Sequence, residues 1–166
     1  MQPPRDFPRF SAGCSGTGAA LPFGMAGVKR YRGLWAWQTG DRFKLQVFGL
    51  VRSSPEASRD FKFRDQLREA ARSVPANIAE GFLRFSPGDL MRFLDYAIAS
   101  LGEAELHLRD GIQLGYFEPE ECEEAFVLAR RCTTATIRLK QSQKRYLENQ
   151  NNRGTPPNRP KPTKRR

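Results

Sequence analysis

Residues 86–114, SPGDLMRFLDYAIASLGEAELHLRDGIQL, decide the fold. Leu90, Phe93, Leu94, Ala97, Ile98, Leu101, Ala104, Leu108 and Ile112 recur at three- and four-residue steps, which lines them up as one apolar stripe of an α-helix. Both ends are signposted. Ser86 can accept from the free amides of a first turn, Pro87 suits the first helical position, and Asp89 stands where a capping-box carboxylate belongs. Gly115 follows the last turn as a C-cap. At about 1.5 Å per residue the rod is roughly 40 Å long, the dimension of a helical bundle.

The same periodicity extends outward on both sides. A helix begins after Phe117 with Pro119 in its first turn. Glu118, Glu120, Glu121, Glu123 and Glu124 crowd its start, while Arg138, Lys140, Lys144 and Arg145 crowd its end, a polarity that complements the helix dipole. Ala125, Leu128, Ala129, Cys132, Ala135, Ile137, Leu139 and Tyr146 are its expected buried side. Upstream, a helix over Leu34–Arg52 carries Trp37, Phe43, Val47, Phe48, Leu50 and Val51. Another runs from about Phe61 to Leu83 through Leu67, Ala70, Ala71, Val74, Ile78 and Phe82. Pro55 and the two serines before it mark the first connection. Short connections make neighbouring helices antiparallel, and no segment alternates as a strand does. The expected fold is all-α, an antiparallel up-and-down four-helix bundle over residues 28–149.

The ends have a different composition. Residues 1–27 hold four prolines and five glycines, and residues 150–166 alternate proline with basic side chains. Neither can build a packed core, so both are expected to be disordered, and Met25 is a candidate translation start. The formal charge is +10, yet residues 25–150 carry 20 Lys or Arg against 17 Asp or Glu. The excess sits in the tail, where Arg153, Arg159, Lys161, Lys164, Arg165 and Arg166 meet no acidic residue. A basic tail of this kind points to a polyanion, nucleic acid above all. Together with Arg138, Lys140, Lys144 and Arg145 it forms the candidate nucleic-acid contact. Such a contact is electrostatic and salt-sensitive and does not read bases.

Three cysteines without CxxC spacing, one histidine (His107) and no acid–base pair leave no metal site, cofactor site or catalytic constellation to propose. Cys122 and Cys132, on one helix, stand about 15 Å apart and cannot bridge. A reduced, cytoplasmic, non-enzymatic protein is expected. No apolar run reaches the roughly 20 residues of a membrane span.

One stretch is unusual for a helix: Ser73-Val74-Pro75-Ala76-Asn77-Ile78-Ala79-Glu80-Gly81. Proline inside a helix removes an amide and crowds the carbonyl four residues back, here Ala71, at about 3 kcal/mol. Apolar periodicity continues across it, so a kink is expected, with Ser73 or Asn77 serving the freed backbone groups. The small side chains of Ala70, Ala71, Ala76 and Ala79 should admit a second helix closely. The stretch from Gln66 to Phe82, with Leu34-Trp35-Ala36-Trp37-Gln38 and Phe93–Glu103 in support, resembles the four-helix-bundle proteins first noticed in intervening sequences of bacterial 23S ribosomal RNA genes. The likeness spans about Tyr31–Leu147. It implies an up-and-down bundle, assembly as a homopentamer and no enzymatic activity, with Ser73, Pro75, Asn77, Ile78, Ala79, Glu80 and Gly81 as a structural motif. More distantly the chain is similar to the accessory variability determinant of diversity-generating retroelements, which implies RNA and a reverse transcriptase as candidate partners. The alternative is a structural oligomer whose partner is another protein. Trp35, Trp37, Phe43 and Phe48 are more aromatics than one buried stripe needs, which also favours a subunit contact.

Overall fold

The computed structural model describes residues 28–154. A 3-10 turn over Tyr31–Gly33 leads into α1 (Trp35–Ser53), followed by α2 (Pro55–Arg59), α3 (Phe61–Leu83), α4 (Pro87–Gln113) and α5 (Pro119–Gly154). No strand occurs among the described residues. The four long helices form the expected antiparallel bundle, and specific contacts fix their register. Cys132 of α5 lies against Ala36 of α1, its thiol 3.5 Å from the Ala36 carbonyl. Arg68 of α3 covers the Phe48 ring of α1, its guanidinium 4.6 Å from the centroid. Ser100 of α4 donates to Ser73 of α3 at 3.0 Å. Lys140 of α5 reaches Asp95 of α4, and Arg109 of α4 covers Phe126 of α5.

The helix starts behave as the sequence indicates. Ser86 accepts from the Asp89 amide at the head of α4, and Asp60 accepts from the Phe63 amide at the head of α3. Asp89 departs from the expected capping box, because its carboxylate is taken by Arg92. Gly115 ends α4 with φ +73°, a left-handed conformation that favours glycine. The first connection is more ordered than expected. Ser54 caps α2 by accepting from the Ala57 amide, and Pro55 occupies the first helical position, so the Ser-Pro pair opens a short helix.

Phe43, Val47, Leu67, Val74, Ile78, Leu90, Leu94, Leu101 and Leu108 fill the core. Burying each large side chain is worth about 1.5–3 kcal/mol. One expectation fails on α5. Ile137 is 41 % exposed, and its neighbour Thr136 is fully buried, as is Gln143. The stripe follows Cys122, Ala125, Ala129, Cys132, Thr136 and Gln143, so the helical period, rather than side-chain polarity, sets which residues face inward. Neither polar atom of the Gln143 amide has a hydrogen-bond partner among the described residues. Helix α5 also continues through residues 150–154, since no glycine or proline interrupts it before Gly154.

Candidate nucleic-acid interface

Antiparallel packing gathers the charges at opposite ends of the bundle. The first turns of α4, the last turns of α3 and α5, and the segment entering α1 share one end. Lys29, Arg30, Arg32, Arg138, Lys144 and Arg145 project there without an ion-pair partner among the described residues. Arg84, Arg92 and Lys140 are at the same end but are held by Glu80, Asp89 and Asp95. At the opposite end Glu118, Glu120, Glu121, Glu123 and Glu124 open α5, close to Asp60 and Asp110. The result is a basic pole and an acidic pole.

The four α5 cations expected to act together do not share a face. At about 100° per residue, Arg138 and Arg145 lie on one line of the helix, which Arg131 extends by two turns, while Lys140 and Lys144 lie on the flank toward α4. Arg131, Arg138 and Arg145 are exposed. Lys140 spends its charge on Asp95 and is the weakest of the expected contacts. Arg153 falls in the last turn of α5. Arg159, Lys161, Lys164, Arg165 and Arg166 lie outside the described residues. Lys29, Arg30 and Arg32 were not singled out in the sequence because their run is short. Antiparallel topology, which returns the fourth rod to the start of the first, is the signal that finds them.

The Ser73–Gly81 motif is structural in its contacts. Helix α3 passes through Pro75 without interruption. Asn77 donates its side-chain amide to the Ser73 carbonyl at 3.0 Å and to the Ser73 hydroxyl at 2.9 Å. It therefore does not serve the Ala71 carbonyl, the group that proline leaves without its usual amide. The bonds instead join Asn77, Ser73 and Ser100 into a polar seam between α3 and α4. Glu80 faces outward and pairs with Arg84, and Ile78 is buried. Gly81 rather than Ala76 sets the close approach: Ala76 is exposed, whereas a Cβ on Gly81 would stand 2.7 Å from the Phe93 Cβ.

At the acidic pole a shallow cleft of about 360 Å³ is lined by Asp60, Lys62, Phe63, Gln66, His107, Asp110, Gln113 and Leu114. Asp60 has a structural task there. The Phe63 amide and the Tyr116 hydroxyl both donate to it and hold its carboxyl below the usual 3.8. The same bond to Asp60 raises the Tyr116 phenol. His107 lies edge-on to Phe63 with Nδ1 3.7 Å from Asp110, beyond hydrogen-bond length. No group of three His, Cys, Asp or Glu side chains that could hold a metal occurs among the described residues. Cys122 and Cys132 are buried and unbridged. Burial pushes the Cys122 thiol up to about 11, with the Glu121 charge adding to it, and burial also raises Cys132 against the hydrogen bonds of Thr39 and Thr136.

Of the four α1 aromatics, Phe43 is fully buried, Trp37 packs edge-on to Tyr31, and Phe48 lies under Arg68. Only Trp35 is left half exposed, so a single bundle absorbs three of them. Among the described residues no helix is long and apolar enough to cross a membrane.

Fold and charge together define a helical bundle with segregated poles, built around a proline-containing, glycine-closed α3/α4 seam. The profile of the 23S rRNA-intervening sequence protein family matches residues 32–135, and the chain belongs to that family. No curated protein matches the chain.

Proposed function

We propose that this protein is a non-enzymatic, oligomeric nucleic-acid-binding bundle that holds RNA phosphates at its basic pole. The observation that carries the reading is the cluster of Lys29, Arg30, Arg32, Arg138, Lys144 and Arg145, which have no ion-pair partner among the described residues, and the sequence that follows α5 is itself basic. Phosphate contacts of this kind release condensed counterions and carry no sequence information. The likeness to the retroelement accessory determinant supports a reverse transcriptase as the protein partner, with the bundle presenting RNA to it. Assembly as a pentamer would multiply the basic pole around a ring. The family likeness supports this, as do the exposed apolar side chains Leu45, Tyr96 and Leu106.

The test is a salt titration of binding to a mixed-sequence single-stranded RNA. Each neutralised phosphate contributes about 0.7 to the log–log slope on a single strand. Deleting residues 155–166 should flatten the slope and weaken binding, and R138Q/R145Q should weaken it further. Equal affinities and slopes in all three proteins would reduce the tail and the pole to solubility devices. Light scattering of the intact chain checks the assembly, and a monomer at micromolar concentration would refute the ring.

A further inference from the structure

We infer that Trp35 is a base-stacking platform and that the α1/α5 face beside it takes single-stranded, rather than duplex, nucleic acid. The inference rests on the nucleic-acid reading above and gives it a strand class and an anchoring side chain.

Among the described residues the exposed aromatic side chains are Trp35, Phe61, Phe85 and Tyr96. Phe61 is covered by the Arg64 guanidinium and Tyr96 lies edge-on to Phe93, whereas among the described residues no ring or guanidinium covers Trp35, which is 48 % exposed. Its position follows from the packing of α1. Phe48 marks the α3 side of that helix, because Arg68 lies over it. Trp35 and Arg42, two turns apart on one line, occupy the other flank, toward α5. On α5, Lys140 and Phe126 mark the α4 side. Arg131 and Arg138 lie on the opposite flank, toward α1. The contact of Cys132 with Ala36 sets the two helices in register, so Trp35 falls between the levels of Arg131 and Arg138. Those two arginines are about 10 Å apart along α5.

An exposed indole on one face with guanidinium groups that have no ion-pair partner among the described residues matches the two requirements of a single strand. The guanidinium groups neutralise phosphates, and the flat ring accepts a base whose face is free. Duplex bases already stack on each other and offer no face, so a duplex meets only the cations. The first turn of α1 holds the backbone under the ring. Thr39 donates to the Trp35 carbonyl at 2.9 Å, and Ala36 beside it is buried, so the backbone under the indole is fixed.

The probes are a fluorescein-labelled 20-nucleotide mixed-sequence RNA and the duplex of the same sequence. Native protein, W35L and W35F are compared, with mass by light scattering and helicity by circular dichroism. Leucine keeps an apolar side chain but no π-face, and phenylalanine keeps a smaller one. W35L should lose about 5- to 150-fold in affinity for the single strand, with little change on the duplex, and W35F should recover part of the loss. In a W37F background, where Trp35 is the single emitter, the RNA should quench the fluorescence. That measurement decides the matter if W35L does not fold. Equal losses on both probes, no loss on either, no quenching, or an altered assembly mass in W35L would overturn the platform while leaving the phosphate reading intact. Native protein that binds neither probe at low salt would overturn both.

Discussion

Replacing Gly81 with alanine sets two effects against each other, and the structure says which is larger. Alanine raises helix propensity over glycine by about 1 kcal/mol. At Gly81, however, the new Cβ would lie 2.7 Å from the Phe93 Cβ and 3.3 Å from the Leu90 Cα. Both atoms are tied to the α4 backbone and cannot rotate aside, so α3 and α4 must move apart along their shared seam. Overpacking of that kind costs about 1–3 kcal/mol, occasionally more. The net expectation is a loss of up to about 2 kcal/mol, or as much as several degrees in melting temperature for a domain of this size. Gly49 in α1 and Gly102 in α4 provide internal controls, because a Cβ on either meets nothing within 4 Å. G49A and G102A should each gain a few tenths to about 1 kcal/mol from propensity alone. Urea melts followed by circular dichroism measure all three. A G81A variant as stable as G102A would refute the close-approach argument and leave the motif glycine without a packing role.

Two further outcomes follow from polar groups in opposite situations. Gln143 is fully buried with both amide atoms unpartnered among the described residues, so Gln143→Leu should stabilise the bundle by about 1 kcal/mol or more; a lower melting temperature would mean that the amide has a partner in the assembled protein. Asp60, whose folded pKa is depressed, contributes stability that is present above its unfolded pKa, near 3.8, and is lost as pH falls through the lower folded value. Melts from pH 6 to pH 2 should show a shallower acid limb for Asp60→Asn than for the native chain, and parallel curves would remove the Tyr116–Asp60 clip from the account.

The rods and their caps were legible because local chemistry writes them. Ser86-Pro87 and Gly115 mark α4, and the leucine stripe needs nothing beyond its own period. What the sequence left obscure depends on the partner helix. Thr136 and Gln143 enter the core in place of Ile137 because geometry fixes the inward face even where the residue there is polar. Lys140 reads as a free cation until α4 brings Asp95 alongside. The basic pole was half visible, since the return of α5 to the start of α1 adds Lys29, Arg30 and Arg32 from the far end of the chain. Ser73 or Asn77 was expected to serve the backbone groups freed by Pro75, whereas Asn77 donates to the Ser73 carbonyl and hydroxyl.

The charge order along α5, glutamates at the head and arginines at the foot, has a consequence at distances well beyond contact. A body with separated poles experiences a torque in an electric field before it touches anything. Near a polyanion it turns its basic foot inward while still diffusing, and its acidic head is pushed toward bulk solution. Capture would then be vectorial, with each molecule arriving in one polarity and its acidic end kept clear. Salt would erode that alignment as the Debye length shrinks to about 8 Å at physiological ionic strength, well short of the roughly 54 Å of the helix itself.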